Sequence, residues 1–380
     1  MRVLHVISDE NIGGAGVLLS SLLRNFDRTE IKNLVALPQN SALRTRIGEG
    51  EARLLLLENR ADRLSAKGIF EICKVIRATA PDLVHTNAAV SARVAARICH
   101  VPIVHTRHCS FPITGKWKNP IVRAVGGAWN RCLSDRVIAT AEAAKRDLEL
   151  LGIPEHRIRV ILNGSEPIRE LGEEELAQIR CALGISPNEF TVGICARLVP
   201  CKGHRIFLEA AGIICKEAPD LPFRFLIVGE GEERNNLELL ARELEIADRV
   251  IFTGFVEDMA RIYRILRLNV NCSVGTETSC LALSEGMSAG VPCVVSDYGG
   301  NCDMVGDSLA GIVYPMGDSE QLAKWILKIA TDEELEYRMR QDAYERYRER
   351  YTAHAMADRV SSLYREILAE KQKKNTRFSR

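Results

Sequence analysis

Two α/β domains, each a doubly wound parallel sheet, are predicted by three observations. Short buried strands alternate with amphipathic helices along nearly the whole chain, the pattern of parallel sheets wrapped by crossover helices. The rhythm breaks once, between Asn163 and Thr191, and then restarts. The chain has 380 residues, more than one core usually holds, so two cores are expected.

Residues 2–7 form the first strand. A glycine-rich turn, Ser8 to Gly16, leads into a helix over Val17–Asn25. Gly13, Gly14 and Gly16 are more glycines than a plain turn needs, so the opening fits a phosphate-handling unit. It lacks GxGxxG spacing, and a tight turn that merely needs glycine is the weaker alternative. Leu34–Leu37 and Leu54–Leu57 read as strands, Ala66–Ala78 as a helix and Pro81–Asn87 as a strand. Helix Ala89–Cys99, strand Val101–His108, helix Asn119–Leu133 and strand Arg136–Thr140 follow, then helix Ala143–Leu151 and strand Arg159–Leu162. Ligands of such sheets bind beyond the carboxyl ends of the strands. Gly13–Gly16, Asn87, His108 and Asn163 all fall there.

A linker near Gly164–Glu170 divides the chain into residues 1–165 and 166–352, with 353–380 as a C-terminal segment. An acidic helix and a Gly/Pro/Asn turn precede strand Thr191–Ala196, helix His204–Glu217 and strand Arg224–Val228. Helix Glu232–Leu244, strand Val250–Thr253 and helix Asp258–Leu266 come next. The window Asn271–Asp297 is a strand end, a small-residue turn at Gly275 and an apolar helix stopped by Gly290 and Pro292. Gly311–Tyr314 is the last strand and Ser319–Ala330 a helix. Asp332–Ala369 is helical, with an apolar stripe at Met356, Val360, Leu363, Tyr364 and Ile367, and the basic tail KQKKNTRFSR is expected to fray.

Composition is that of a soluble globular protein, and no run approaches the ~20 apolar residues that span a bilayer. MRVLHVIS reads as a strand rather than a signal peptide, so a cytoplasmic, reducing setting is expected. The 12 cysteines show no CxxC spacing, which favours free, mostly buried thiols over zinc or disulfides. Net charge is +1, yet residues 1–165 hold 24 Lys+Arg against 15 Asp+Glu (+9) and residues 166–380 hold 27 against 35 (−8). The basic half suggests an anionic partner, or simply balances the other half. Phe111–Leu133 interleaves Phe111, Trp117 and Trp129 with Lys116, Lys118, Arg123 and Arg131. Such a helix either packs on the sheet or makes peripheral contact with an anionic membrane. No nucleic-acid motif accompanies the charge, so nucleic acid is not an expected partner.

The window Asn271–Asp297 carries Glu277 at the mouth of a helix and Glu285 eight residues later. Amides and the positive end of a helix favour phosphate there. Carboxylates beside phosphate are better suited to sugar or ribose hydroxyls, so a ligand with phosphates and polyols fits. An ordinary strand–turn–helix with two solvated glutamates fits the same window. Arg197 and Lys202 follow the first strand of the second half, where a planar fork and a point charge can clamp a diphosphate. Gly229 begins a second glycine turn, GEGEER, after the next strand.

In ordered combination these segments resemble the glycosyltransferases of family 4, over nearly the whole chain. The resemblance rests on GGAG, Thr106–His108, Ser134–Leu148, ILNGSE (Ile161–Glu166), ARLVPCKG (Ala196–Gly203), LIVGEGEER (Leu226–Arg234), VIFTGFVED (Val250–Asp258) and the spacing of Glu277 and Glu285. It implies the GT-B fold, two Rossmann-like domains facing a central cleft, with the C-terminal helix returning to the first. It implies a retaining, metal-independent transfer from a nucleotide-sugar donor to a sugar or lipid-linked sugar acceptor, commonly in cell-surface polysaccharide or glycolipid assembly. Glu285 would hold ribose hydroxyls. Glu277 and the amides of Thr278, Ser279, Cys280 and Leu281 would hold the sugar and nearby phosphate. Arg197 and Lys202 would neutralise the leaving diphosphate. Gly14 and Gly16 would approach the phosphates or acceptor, His108 would sit over the donor sugar, and Asn163 would mark the cleft floor. His105 would be buried.

One stretch departs from the family pattern. Thr278, Ser279 and Cys280 stand where Gly-Phe-Gly is usual, which bears on Glu277 and sugar choice more than on Glu285. A nucleotide-sugar 2-epimerase of related architecture, or a non-catalytic sugar-nucleotide binder, are the alternatives. No metal constellation is evident in the chain.

Overall fold

A computed structural model describes residues 1–11, 13–59, 61, 63–87, 89–108, 119–275 and 278–378, with backbone alone from 374. It divides into two compact units, residues 1–164 with 353–380 and residues 165–352.

The first unit is built on seven strands: β1 (Arg2–Ile7), β2 (Lys32–Pro38), β3 (Arg53–Leu57), β4 (Leu83–Asn87), β5 (Ile103–Arg107), β6 (Arg136–Ala139) and β7 (Ile158–Val160). All pairings are parallel, in the order β3-β2-β1-β4-β5-β6-β7. The central β1 is covered on both faces, which is why it reads as an apolar run: Val3, Leu4, Val6 and Ile7 are fully buried. Among the described residues six α-helices connect these strands: α1 (Gly14–Asn25), α2 (Leu43–Arg46), α3 (Ala66–Thr79), α4 (Val90–Ile98), α5 (Pro120–Cys132) and α6 (Glu142–Leu150). Ser65 caps α3 by accepting from the Gly68 amide, and Asn119 caps α5 ahead of a proline at its first turn.

The last helix, α15 (Ala353–Phe378), also belongs to the first unit. Its Tyr364 hydroxyl lies 2.5 Å from His85 Nδ1 and its ring lies 5.9 Å from that of Phe26. Arg136–Glu370 and Arg159–Glu366, both at 2.6 Å, and Arg365–Glu30 at 2.7 Å flank it.

The second unit repeats the plan with β8 (Phe190–Cys195), β9 (Phe223–Val228), β10 (Val250–Gly254), β11 (Leu268–Asn271), β12 (Cys293–Ser296) and β13 (Gly311–Tyr314). Its order is β10-β9-β8-β11-β12-β13, again parallel throughout. The helices are α7 (Glu173–Ala182), α8 (His204–Glu217), α9 (Arg234–Glu243), α10 (Ala260–Tyr263), α11 (Leu281–Ser288), α12 (Asn301–Val305), α13 (Ser319–Thr331) and α14 (Glu333–Arg346). Phe190, Phe207, Phe223 and Phe225 pack in the core between β8, β9 and α8. In each unit the direction of winding reverses once, between β1 and β4 and between β8 and β11, so each sheet has one switch point at which a ligand crevice can open.

Four expectations are corrected. The glycine turn after β1 is shorter than predicted, because Gly14 to Gly16 form the first turn of α1. The helical stretch after Asp332 breaks between Tyr347 and Thr352, where a π-helical turn ends and Thr352 bridges Ser165. The tail does not fray at once, since α15 continues to Phe378. The free cysteines are not mostly buried: among the described residues only Cys73, Cys272 and Cys293 are, while Cys132, Cys181 and Cys302 are exposed. Cys109 lies outside the described residues.

Candidate functional site

In the second unit the loops after β8, β9 and β11 are joined backbone to backbone. The β8 loop holds Arg197 and a 3-10 turn, Pro200–Lys202, that delivers Lys202 to the mouth of α8. Arg197 is exposed and Lys202 half-buried. The Val274 amide donates to Cys201 O at 2.9 Å, tying the β11 loop to that turn. The Leu198 amide donates to Glu230 O at 2.9 Å and the Glu233 amide to Leu198 O at 3.1 Å, tying in the β9 loop.

Glycine is required at two of these crossings. Gly203 has φ +70, and a Cβ there would stand 2.0 Å from Cys272 O. Gly229 has φ +136, and a Cβ there would stand 2.1 Å from Ala196 O. Both positions combine a left-handed backbone with a neighbouring chain at contact distance, which no other residue satisfies. Gly229 therefore acts on the candidate site by letting its loop close on the backbone just before Arg197.

Thr278, Ser279 and Cys280 lead into α11, whose first residue is Leu281. Thr278 is buried, and Ser279 and Cys280 are half-buried. Ser279 Oγ meets Met304 Sδ at 3.9 Å. Glu277 lies outside the described residues. The Leu283 amide donates back to Cys280 O at 3.1 Å, and the positive dipole end of α11 lies at the switch point.

Glu285 sits one turn into α11, half-buried. The Tyr263 hydroxyl donates to Glu285 Oε2 at 3.3 Å. Tyr263 is fully buried, and burial raises its pKa well above the usual phenol range, with Cys195 and Glu285 adding to the shift. The hydroxyl is thus a permanent donor. Gly286 lets α11 approach this partner, since a Cβ there would come within 2.9 Å of Asn269 Nδ2. The same Asn269 Nδ2 donates to Ala282 O at 2.8 Å and anchors the helix. Sequence patterning marks Tyr263 only as a core residue of a short helix, so its link to Glu285 was not legible there.

A buried polar network backs the β11 loop. Asn271 Oδ1 accepts from the Ser273 amide at 2.9 Å, Ser296 Oγ donates to Ser273 O at 2.7 Å, and Asn301 Nδ2 donates to Ser296 Oγ at 3.1 Å. Asn301 is fully buried. These bonds hold the loop in one arrangement, while Asn301 Oδ1 is buried without a hydrogen-bond partner.

The first unit holds the remaining candidates. Gly14 is exposed with open space around its Cα, whereas Gly16 is buried and a Cβ there would stand 2.5 Å from Leu43 Cδ2. Gly16 thus serves the packing of α1 on α2. His108 Nε2 lies 2.8 Å from Asn87 Oδ1, at the carboxyl ends of β4 and β5. Burial lowers the His108 pKa to about 4, so the ring is neutral and holds its contact with Asn87 as a hydrogen bond, without charge. His105 is half-buried, with Nδ1 3.2 Å from Thr86 Oγ1. Asn163 is buried and lines a small cavity together with His85, Asn87, Thr106, His108 and Thr140. Its apolar walls come from α1 and α15, through Leu18, Leu19, Leu22, Met356 and Val360. Among the described residues no cluster of His, Cys, Asp and Glu is arranged to hold a metal ion, and no helix is long and apolar enough to cross a membrane.

Comparison with known proteins identifies the family and the fold. Residues 12–168 match the family model described as Glycosyltransferase Family 4, and residues 177–346 match that for Glycosyl transferases group 1. The chain is 27% identical over 285 residues to the 2-deoxystreptamine glucosyltransferase of Streptomyces kanamyceticus, covering 70% of this chain and 73% of that one. It is 24% identical over 322 residues to the Escherichia coli UDP-Gal:alpha-D-GlcNAc-diphosphoundecaprenol alpha-1,3-galactosyltransferase, covering 80% of each. Among solved structures, Anabaena HepE in complex with UDP-glucose superposes with a TM-score of 0.82 at 22% identity, over 96% of this chain and all of that one. The fold is therefore that of the GT-B glycosyltransferases, and the chain belongs to the glycosyltransferases of family 4.

Proposed function

We propose that this glycosyltransferase takes a nucleotide-sugar donor at the switch point of its second unit and transfers the sugar, with retention and without a metal, to a hydroxyl acceptor. The observation that carries the proposal is the backbone joining of the loops after β8, β9 and β11, which supports a common ligand edge for the segments that carry Arg197, Lys202 and the start of α11. HepE, of the same fold, was solved with UDP-glucose, which supports a nucleoside diphosphate sugar as the donor class.

The chemistry follows from charge. Breaking the bond between the anomeric carbon and the diphosphate oxygen leaves positive charge on the sugar and negative charge on the phosphate. Arg197, Lys202 and the α11 amides are placed before the reaction to meet that negative charge, the condition under which such groups lower a barrier. The acceptor oxygen bonds to the anomeric carbon on the face the phosphate leaves, and the phosphate takes the acceptor proton. Glu285 accepts from ribose hydroxyls, held by Tyr263, and Glu277 with the Thr278–Leu281 segment receives the sugar.

The acceptor is proposed to be a sugar, free or lipid-linked, in glycolipid or surface polysaccharide assembly. The E. coli relative is named for a diphosphoundecaprenol-linked acceptor. Peripheral contact with an anionic membrane is proposed through α5, on which Ile121, Val125 and Trp129 are exposed at successive turns beside Arg123 and Arg131. The flanking residues 111–118 lie outside the described residues.

A thermal-shift panel of UDP-, GDP- and ADP-sugars, followed by nucleotide release with and without acceptor sugars, tests the donor and the reaction. Stabilisation by one nucleotide class, acceptor-dependent release and an unchanged rate in EDTA are expected. Interconversion of the sugar without acceptor, or binding without turnover, overturns the transferase mechanism. Sedimentation with anionic vesicles at low salt tests α5, and absence of binding removes the membrane contact.

A further inference from the structure

We propose that the first unit binds a phosphate-bearing anion at the amino-terminal edge of β5, β6 and β7, in a cavity walled by α15. The cavity measures about 460 Å³ and is formed by the turn between α4 and β5, the starts of β6 and β7, and the end of α15. It lies at the strand ends opposite to those carrying His108 and Asn163, and so apart from the site proposed above.

Its lining is basic. Arg97, His100, Arg136, His156, Arg157 and Lys371 contribute, against the two carboxylates of Asp135 and Glu370. Three arginines and one lysine against two carboxylates leave an excess of two positive charges, the imidazoles apart. The carboxylates are committed: Arg97 pairs with Asp135 at 3.4 Å and Arg136 with Glu370 at 2.6 Å. Asp135 also accepts from the Ile103 amide at 2.8 Å, which fixes it as part of the wall.

The other two cations are held by neutral groups. Arg157 Nη1 donates to Arg131 O at 2.7 Å, and Lys371 Nζ donates to His100 O at 3.2 Å. Carbonyl oxygens orient these side chains without cancelling their charge. His100 and His156 are exposed at the rim, with ring nitrogens that can donate. Guanidinium, ammonium and imidazole converging on a concave, half-enclosed space match the donor set that phosphate oxygens accept from. A phosphomonoester, inorganic phosphate and the monoester headgroup of phosphatidic acid all present at least three terminal oxygens and so the same chemistry.

The test is isothermal titration of the full chain with inorganic phosphate and with pyrophosphate at low salt, alongside flotation with vesicles containing phosphatidic acid and with neutral vesicles. The double variant His156→Gln/Lys371→Gln removes one exposed ammonium and one exposed imidazole and keeps the three arginines, and circular dichroism confirms its fold. The variant Arg197→Ala/Lys202→Ala removes the cations of the donor crevice. Saturable phosphate binding that weakens about tenfold or more in the first variant and persists in the second supports the proposal. Phosphatidic acid binding lost in the first variant, with no response to free phosphate, supports it too and identifies a headgroup as the source. Absence of binding to any of these probes overturns it, as does binding lost only with Arg197 and Lys202.

Discussion

At the scale of single residues, charge and its supports decide what the crevice can do. Lys202, the residue proposed to meet the leaving diphosphate, is half-buried at the end of a tight turn. Lys202→Ala is expected to lose about a hundredfold or more in turnover at saturating donor, the usual cost of removing a charge-stabilising donor. Turnover near that of the parent protein would remove Lys202 from the mechanism. Tyr263 acts through Glu285, so it is a positioning residue. Tyr263→Phe is expected to raise the KM for donor several-fold, in line with the loss of about 1 kcal/mol of hydrogen bond, and to leave kcat nearly unchanged. A fall in kcat with constant KM would contradict that role. The placement of Arg197 and Lys202 after β8 and of Glu285 on the helix after β11 was legible in the sequence, because a strand and a turn precede each at short range. Tyr263 was not, because its partner lies 22 residues away across a helix packing that no local pattern encodes.

At the scale of elements, the glycines at loop crossings are the sharpest constraint. Gly203→Ala is expected to destabilise the second unit by about 2–4 kcal/mol, since it adds a steric clash with Cys272 O to an unfavourable left-handed backbone. Denaturant melts with and without donor measure this, and a change below about 0.5 kcal/mol would show that the crossing relaxes at little cost. Gly14→Ala is the contrasting case: its Cβ meets open space, so stability is expected to stay within about 0.5 kcal/mol. Long, strongly periodic elements were legible from sequence, as β1, α3, β8 and α8 illustrate. The four-residue α2 and five-residue α12 were not, because so few residues carry no period. The break at Thr352 was also hidden, because helix-forming residues lie on both sides and a long-range bridge to Ser165 imposes it.

At the scale of the whole molecule, the two units differ in their buried histidines. His5 is fully buried, and burial lowers its pKa from 6.5 to about 4. His85, His105 and His108 of the same unit are also lowered, by burial first. The second unit has one such group, His204, lowered to about 4. A histidine whose folded pKa lies below its unfolded pKa binds fewer protons when folded, so stability rises with pH through that window. It is fully present above about pH 6.5 and declines as pH falls towards 4, by on the order of 3 kcal/mol for His5 alone. The first unit is therefore expected to unfold at higher pH than the second on acidification. Tryptophan emission and hydrogen exchange followed from pH 7 to 4 resolve the order, and loss of the second unit first would contradict it.

The first unit is completed by α15, which follows the whole second unit in the chain. A ribosome makes residues 1–164 long before it makes Tyr364, the partner of His85. Until then the nascent first unit presents the faces of Leu18, Leu22 and Phe26 with no helix over them, while residues 165–352 already hold every strand of their own sheet. Synthesis thus favours an order in which the later-made unit matures first and the earlier-made one waits for the final helix. A stalled chain ending before Ala353 is a natural substrate for chaperones that recognise apolar surface.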